Sequence, residues 1–158
     1  MATPVTPRTC GGCIACCKAL EVFEGNFRKA AGEWCPHCAV GRGCGIYRDR
    51  PLVCEAFRCE WLKGWGGENE RPDRTKVIPD FHKEGLFLDG ILQMWEVAEG
   101  ALERPFARRT TREVLSRGIV VAHLRLSGKK FLFVPPGDAL PDEVLKALKE
   151  ERIELAIL

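Results

Sequence analysis

The hydrophobic pattern divides the chain into two parts. Between residues 10 and 61 apolar positions show little periodicity beyond short pieces such as Leu20-Glu21-Val22-Phe23. Gly11, Gly12, Gly25, Gly32, Gly41, Gly43 and Gly45 punctuate this stretch. Such a loop-rich segment buries little core of its own, and small units of that kind rely on metals or disulfides. Beyond residue 70 the pattern becomes regular. Leu86-Phe87-Leu88 and Ile91-Leu92-Gln93-Met94-Trp95 flank Asp89-Gly90, a two-residue turn that predicts a β-hairpin. Thr110-Thr111-Arg112-Glu113 carries a Thr-x-x-Glu capping box ahead of Val114 and Leu115. With Gly118 to close it, this predicts a brief helix. Ile119 to Leu126 and Phe131 to Val134 are β-rich and separated by Ser127-Gly128-Lys129-Lys130, a second hairpin. Pro141-Asp142-Glu143 opens a helix whose apolar face is Val144, Leu145 and Leu148, and Ile153, Leu155 and Ile157 alternate as a final strand.

The expected fold class is therefore α+β: a small, loop-rich, cysteine- and metal-organised N-terminal lobe and a compact C-terminal part of β-hairpins and short helices. The stretch Lys63-Gly64-Trp65-Gly66-Gly67-Glu68-Asn69-Glu70-Arg71-Pro72 is rich in glycine and charge, so a soft boundary near residue 70 separates a lobe of 1–70 from a scaffold of 71–158. The two parts are expected to pack as one unit. No internal repeat or low-complexity tract is present.

Composition narrows the classes. Apolar residues are 46% and charged residues 29%, an ordinary globular balance. The formal net charge of +2 counts every thiol as neutral. Ionised metal-binding thiolates would absorb part of the basic excess of Arg42, Arg48, Arg50 and Arg58, so the charge gives little support for nucleic-acid binding. No apolar run reaches the ~18 residues of a membrane span. The start, Met1-Ala2-Thr3-Pro4-Val5-Thr6-Pro7-Arg8, lacks a secretory apolar core, which leaves the cytoplasm as the expected compartment. Structural disulfides are disfavoured there, so dense cysteines read as metal-binding or redox groups.

All nine cysteines lie between Cys10 and Cys59. Cys10-Gly11-Gly12-Cys13-Ile14-Ala15-Cys16-Cys17 makes two successive C-x-x-C steps and ends in a doubled cysteine. A C-x-x-C pair lets two thiolates converge on a metal from one tight turn. The opening matches a bacterial ferredoxin run, but Cys17 follows at once where that run has x3-C-P. Cys16 and Cys17 either point to different metals or leave one thiol free. Cys35-Pro36-His37-Cys38, Cys44, Cys54 and Cys59 complete the set. Zinc and iron–sulfur clusters each take four ligands, so these thiols suffice for two sites with a ninth spare, bridging or reactive.

The Cys10-x-x-Cys13-x-x-Cys16-Cys17 start resembles the CxxCxxCC, or YkgJ-like, family of zinc- or iron-chelating domains. Cys35-Pro36-His37, Gly43-Cys44-Gly45-Ile46-Tyr47, Arg50-Pro51 and Cys54 extend the likeness. It covers about residues 10–61. It implies metal chelation by Cys10, Cys13, Cys16, Cys17, Cys35, Cys44 and Cys54, with Cys59 in a related Phe-x-Cys-x-Trp extension. Cys38 stands where many relatives have an apolar residue, which makes it the weakest ligand. Related domains also occur in flagellin lysine methylases, although nothing here places a methyl donor.

His37 lies between candidate ligands and is read as a ligand, a donor to one, or an exposed side chain. His82 and His123 have no partner at suggestive spacing and receive no role. Arg50-Pro51 and Tyr47 are expected to shape the loop between Cys44 and Cys54. Phe57, Trp61 and Trp65 are expected to cover the metal lobe. No nucleophile elbow, phosphate loop, dinucleotide fingerprint or H-E-x-x-H helix is present, so catalysis is left open. Cys17 beside Lys18 is one place for a reactive thiolate. The leading expectation is a metal-binding protein in a structural, metal-handling or sensing role. Its partners are metal ions, with room for a protein but not for nucleic acid or membrane. The alternative is an iron–sulfur electron-transfer component or enzyme. A third reading is a redox switch using Cys17 or Cys38.

Overall fold

The computed structural model describes residues 7–83, 87 and 90–158. The fold is α+β. The lobe opens with α1 (Ala15–Ala19), followed by an antiparallel pair, β1 (Val22–Glu24) and β2 (Phe27–Lys29). A second small antiparallel pair, β3 (Cys38–Ala39) and β4 (Gly43–Cys44), precedes α2 (Leu52–Ala56). A 3-10 turn at Glu68–Glu70 and α3 (Pro72–Thr75) lead into the larger sheet.

That sheet has strand order β5 (Val77–His82), β6 (Ile91–Glu96), β7 (Val120–Leu124), β8 (Lys130–Phe133) and β9 (Ile153–Ala156). The β5/β6 and β7/β8 pairs are antiparallel. The β6/β7 and β8/β9 pairs are parallel and are crossed by α4 (Pro105–Ser116) and α5 (Asp142–Glu150), respectively. The predicted hairpin of 119–134 is thus present as β7 and β8, and the final strand as β9. The hairpin predicted at 86–95 falls partly on residues 86, 88 and 89, which lie outside the described residues. Its second arm is β6, whose described antiparallel partner is β5.

The brief helix expected to begin at Thr110 is corrected. Helix α4 starts at Pro105, and Thr110 and Thr111 sit in its middle, 1% and 0% exposed. Proline at the first helical position supplies a start with its angle already set, and this outweighed the later Thr-x-x-Glu pattern. Gly118, at a φ of 77°, follows the helix end as expected, and its N–H donates to the Leu115 carbonyl.

Side chains alternate across the sheet, so each strand serves two cores. Val77, Leu92, Met94 and Val121 pack against Ala107, Val114 and Leu115 of α4. On the opposite face Val120, Ala122 and Leu132 meet Val144 and Leu148 of α5. Beside α5 on that face, Ile78 and Val97 pack with Ala15 and Ala19 of α1 and with Trp61. The cysteine lobe and α5 therefore share one side of the sheet, with α4 on the other. No helix among the described residues is long and apolar enough to cross a membrane.

Candidate metal centre

Cys10, Cys13, Cys16, Cys17, Cys35, Cys44, Cys54 and Cys59 all line one cavity of about 390 Å³. These residues come from separate stretches of chain, and each is delivered by a local device. The Cys13 N–H donates to the Cys10 carbonyl at 2.9 Å, turning the chain at Gly11, whose φ of 51° suits glycine. Ala15 and Ala19, one turn apart, anchor α1 on the sheet and leave Cys16 and Cys17 between them to face the cavity.

The loop before Cys35 is tied to the end of α1. The Gly32 N–H donates to the Lys18 carbonyl and the Cys35 N–H to the Cys17 carbonyl, both at 2.9 Å. Cys44 is brought in by the β3/β4 pair, in which it faces Cys38 across the strands. Cys54 rides on α2, whose Leu52 and Val53 N–H groups both donate to the Glu24 carboxylate at 2.9 Å. A carboxylate there satisfies helix-end donors and favours the helix dipole.

Cys59 and Trp61 are set by the edge of the large sheet. Pro79 offers no N–H to a neighbouring strand and belongs at an edge, which β5 is. Glu60 binds that edge twice: its N–H donates to the Pro79 carbonyl at 3.0 Å, and its carboxylate accepts from the Phe81 N–H at 3.1 Å. The residues on either side of Glu60 are thereby pressed into the apolar cluster on the sheet, where Cys13 and Cys16 also pack.

The thiols differ electrostatically. Burial pushes Cys10, Cys38, Cys54 and Cys59 up, and raises Cys13 to about 11. Arg50 and Arg58 pull Cys10 back down in part. Cys16 is lowered to about 7, first because the Cys17 thiol donates a hydrogen bond to it. The same bond holds the proton on Cys17 and raises that group. The neighbouring pair thus behaves as one thiolate and one thiol sharing a proton, with Cys16 the better nucleophile or ligand.

All nine cysteines are free thiols. Cys38 does not line the cavity, although a thiol contact with Cys17 links it to the group. His37 is exposed and also lies off the cavity, its ring 5.5 Å from that of Phe27. Arg50 lies over the Tyr47 ring at 4.0 Å, and its Nε is buried without a partner. Phe57 and Trp61 line the cavity as expected of a cover. Trp65 packs instead edge-on to Phe106 of α4, 6.3 Å away. His82 pairs with Asp80 at 2.8 Å, and His123 is buried in the α4 core.

Three cationic residues of this region were missed in the sequence. Arg8 lines the cavity while its guanidinium donates to the carbonyls of Trp61, Trp65 and Gly66 at 2.9, 2.8 and 2.7 Å. Arg71 also lines it and grips Asp73 at 2.6 and 2.8 Å. Lys29, 4% exposed, was the least expected. Alternation along β2 was the available signal, since Lys29 falls on the same strand face as the cavity-lining Phe27.

Among the described residues no three His, Cys, Asp or Glu side chains converge closely enough to hold a metal ion. The donor set fits a thiolate-bound metal in kind and in number. The side chains share a cavity without closing on one point. No family model matches the chain, and comparisons with curated proteins and with solved structures likewise found no match.

Proposed function

We propose that this protein holds zinc or an iron–sulfur cluster in the cysteine-lined cavity, in a structural, metal-handling or sensing role. The observation that carries this reading is the gathering of Cys10, Cys13, Cys16, Cys17, Cys35, Cys44, Cys54 and Cys59 around one space while all remain unpaired. Ordinary buried thiols scatter among core residues, and nothing in hydrophobic packing brings eight to one cavity. The cysteine spacing and its resemblance to the CxxCxxCC family support the same reading.

Two groups of four ligands are the natural division. Cys13, Cys16 and Cys59 share the apolar cluster on the sheet, and Cys10 is tied to Cys13 by their turn. Cys17 and Cys35 are joined by a backbone hydrogen bond on the outer side, with Cys44 and Cys54 completing that side. Binding then includes a closing step in which thiols lose protons and side chains draw together, so uptake releases protons and stabilises the lobe.

Bound zinc would supply a cross-link, and an iron–sulfur cluster would add electron exchange. The cavity volume favours keeping the second alternative, an iron–sulfur electron-transfer component or enzyme, because about 390 Å³ falls within the range of small-molecule sites. The deciding experiment is elemental analysis for zinc, iron and acid-labile sulfide on anaerobically purified protein, read beside its visible spectrum. Iron with sulfide in a brown sample supports the cluster reading. Zinc in a colourless sample from iron-replete cells supports the structural or metal-handling one. A folded chain that takes up neither overturns the proposal.

A further inference from the structure

Lys29 is 4% exposed, and its ammonium donates to the carbonyls of Lys18, Ala30 and Glu33 at 3.2, 2.9 and 2.9 Å. An ammonium has three protons to donate, so its hydrogen bonding is complete. Its charge is another matter. Among the described residues it forms no salt bridge with a carboxylate. Burying an unpaired charge is expensive even where its hydrogen bonds are made, and lysine is seldom buried without a counter-charge.

Lys29 lines the same cavity as Cys16, Cys17 and Cys35; burial disfavours its charged form, and ionised Cys35, Cys17 and Cys16, then the exposed Glu33, are the groups that oppose this. The carbonyls that hold Lys29 belong to the same pieces of chain. Lys18 follows Cys17 in α1, and Glu33 lies in the loop that delivers Cys35. The ammonium is therefore fixed beside one side of the cavity by a tripod built from the chain carrying those thiols.

We infer that Lys29 is the built-in counter-cation of the metal–thiolate centre, placing the centre's excess negative charge on the Cys16, Cys17 and Cys35 side of the cavity. The inference rests on the metal reading above and adds a residue that touches no metal. Four thiolates outweigh the charge of a divalent ion, so a loaded site is anionic and sits in surroundings of low dielectric. A cation already held by three carbonyls stabilises that charge without reorganising when metal enters. Arg8, Arg50, Arg58 and Arg71 also line the cavity, but none of them is buried: Arg8 reaches out to backbone carbonyls, Arg50 lies over the Tyr47 ring, Arg58 is exposed, and Arg71 grips Asp73. Lys29 is the buried cation among those lining the cavity, and among the described residues no salt bridge to a carboxylate offsets its charge.

The test compares full-length wild type, Lys29→Met, Lys29→Gln and Lys29→Arg in competition for zinc against a chromophoric chelator at fixed pH. Ala107→Gly serves as a control that loosens α4, on the far face of the sheet, without altering charge, a thiol or the lobe. The two neutral variants are expected to bind zinc more weakly by about tenfold or more, the scale of one nearby charge in a partly screened interior. Lys29→Arg should recover most of the loss, and Ala107→Gly should stay near wild type. Lys29→Gln keeps a head able to bond the same carbonyls and preserves the comparison if Lys29→Met does not fold. Wild-type affinity in the neutral variants overturns the inference. So does an equal loss in Ala107→Gly, which would make general destabilisation sufficient and Lys29 a scaffold residue only. A wild-type chain that binds no metal overturns the metal reading itself, a distinguishable failure.

Discussion

At the scale of single residues, His123 shows how burial selects a protonation state. It is 5% exposed, its ring lies 4.6 Å from that of Phe133, and Nε2 lies 2.8 Å from the Thr111 hydroxyl. The Thr111 hydroxyl donates its proton to the Ala107 carbonyl at 2.8 Å, so it accepts from His123, and the imidazole is neutral with its proton on Nε2. Burial, helped by Arg125, lowers the pKa to about 4 from an ordinary 6.5. Above the ordinary value both folded and unfolded forms are neutral, and the full stability is present. As pH falls from there toward 4 the unfolded chain gains a proton that the folded one refuses, so stability declines, by up to roughly 3 kcal/mol. Urea denaturation at a series of pH values should show that slope in wild type and its loss in His123→Gln. An equal slope in both would assign the acid sensitivity to other groups. The sequence offered no sign of this role, because His123 has no partner nearby in the chain. Its partner, Thr111, sits on a helix that packs over the strand.

At the scale of elements, legibility followed the source of the order. Strands β7, β8 and β9 and helix α5 were readable because their apolar spacing repeats the geometry of the faces they bury. Helix α4 was readable as a helix but not in its start, since Thr110 and Thr111 imitate a cap while serving as buried mid-helix residues. The cysteine lobe was legible in the thiols that it gathers and illegible in its backbone. Its short elements follow from long-range hydrogen bonds, such as Glu24 on α2 and Glu60 on β5, that no local pattern announces.

Arg8 is the strongest case. The segment 63–72, which reads as a linker by composition, is pinned by the guanidinium on the Trp65 and Gly66 carbonyls, with a third bond to the Trp61 carbonyl just before it and the Trp61 ring 4.7 Å beneath. Trp61 Nε1–H adds a bond to the Gly67 carbonyl at 3.0 Å. Arg8→Ala should therefore destabilise the protein by about 1.5–3 kcal/mol, the range for hydrogen bonds to a charged group. Arg8→Lys should recover only part, because an ammonium lacks the planar fork and the stacking. Hydrogen exchange localises the effect: protection should fall first in residues 61–67, and a loss spread evenly over the chain would refute the clamp.

At the scale of the whole molecule, the lobe and the large sheet cannot be treated as independent, because one apolar cluster belongs to both. Ala15, Ala19 and Trp61 come from the lobe, Ile78 and Val97 from the sheet side, and Cys13, Cys16 and Trp95 pack against them. The α4 core uses the opposite face of the sheet and shares none of these residues. Loosening the thiols should therefore travel into the sheet through Ile78 and Trp95, while the α4 side holds. If metal occupies the cavity as proposed, stripping it with a chelator, or substituting Cys13→Ser or Cys54→Ser, is expected to lower metal content and exchange protection across residues 10–61. Protection should fall next at β5 and β6 and least along α4. Such graded opening is the ordinary behaviour of cooperative units that share a boundary. Because metal affinity is also folding free energy for a lobe with so little regular structure, the loss in residues 10–61 should be large even where the sheet remains folded. Unchanged protection in the lobe after complete removal of metal would mean that packing on Ile78 and Trp61 suffices to fold it. The cavity would then be a site that the fold carries and does not depend on.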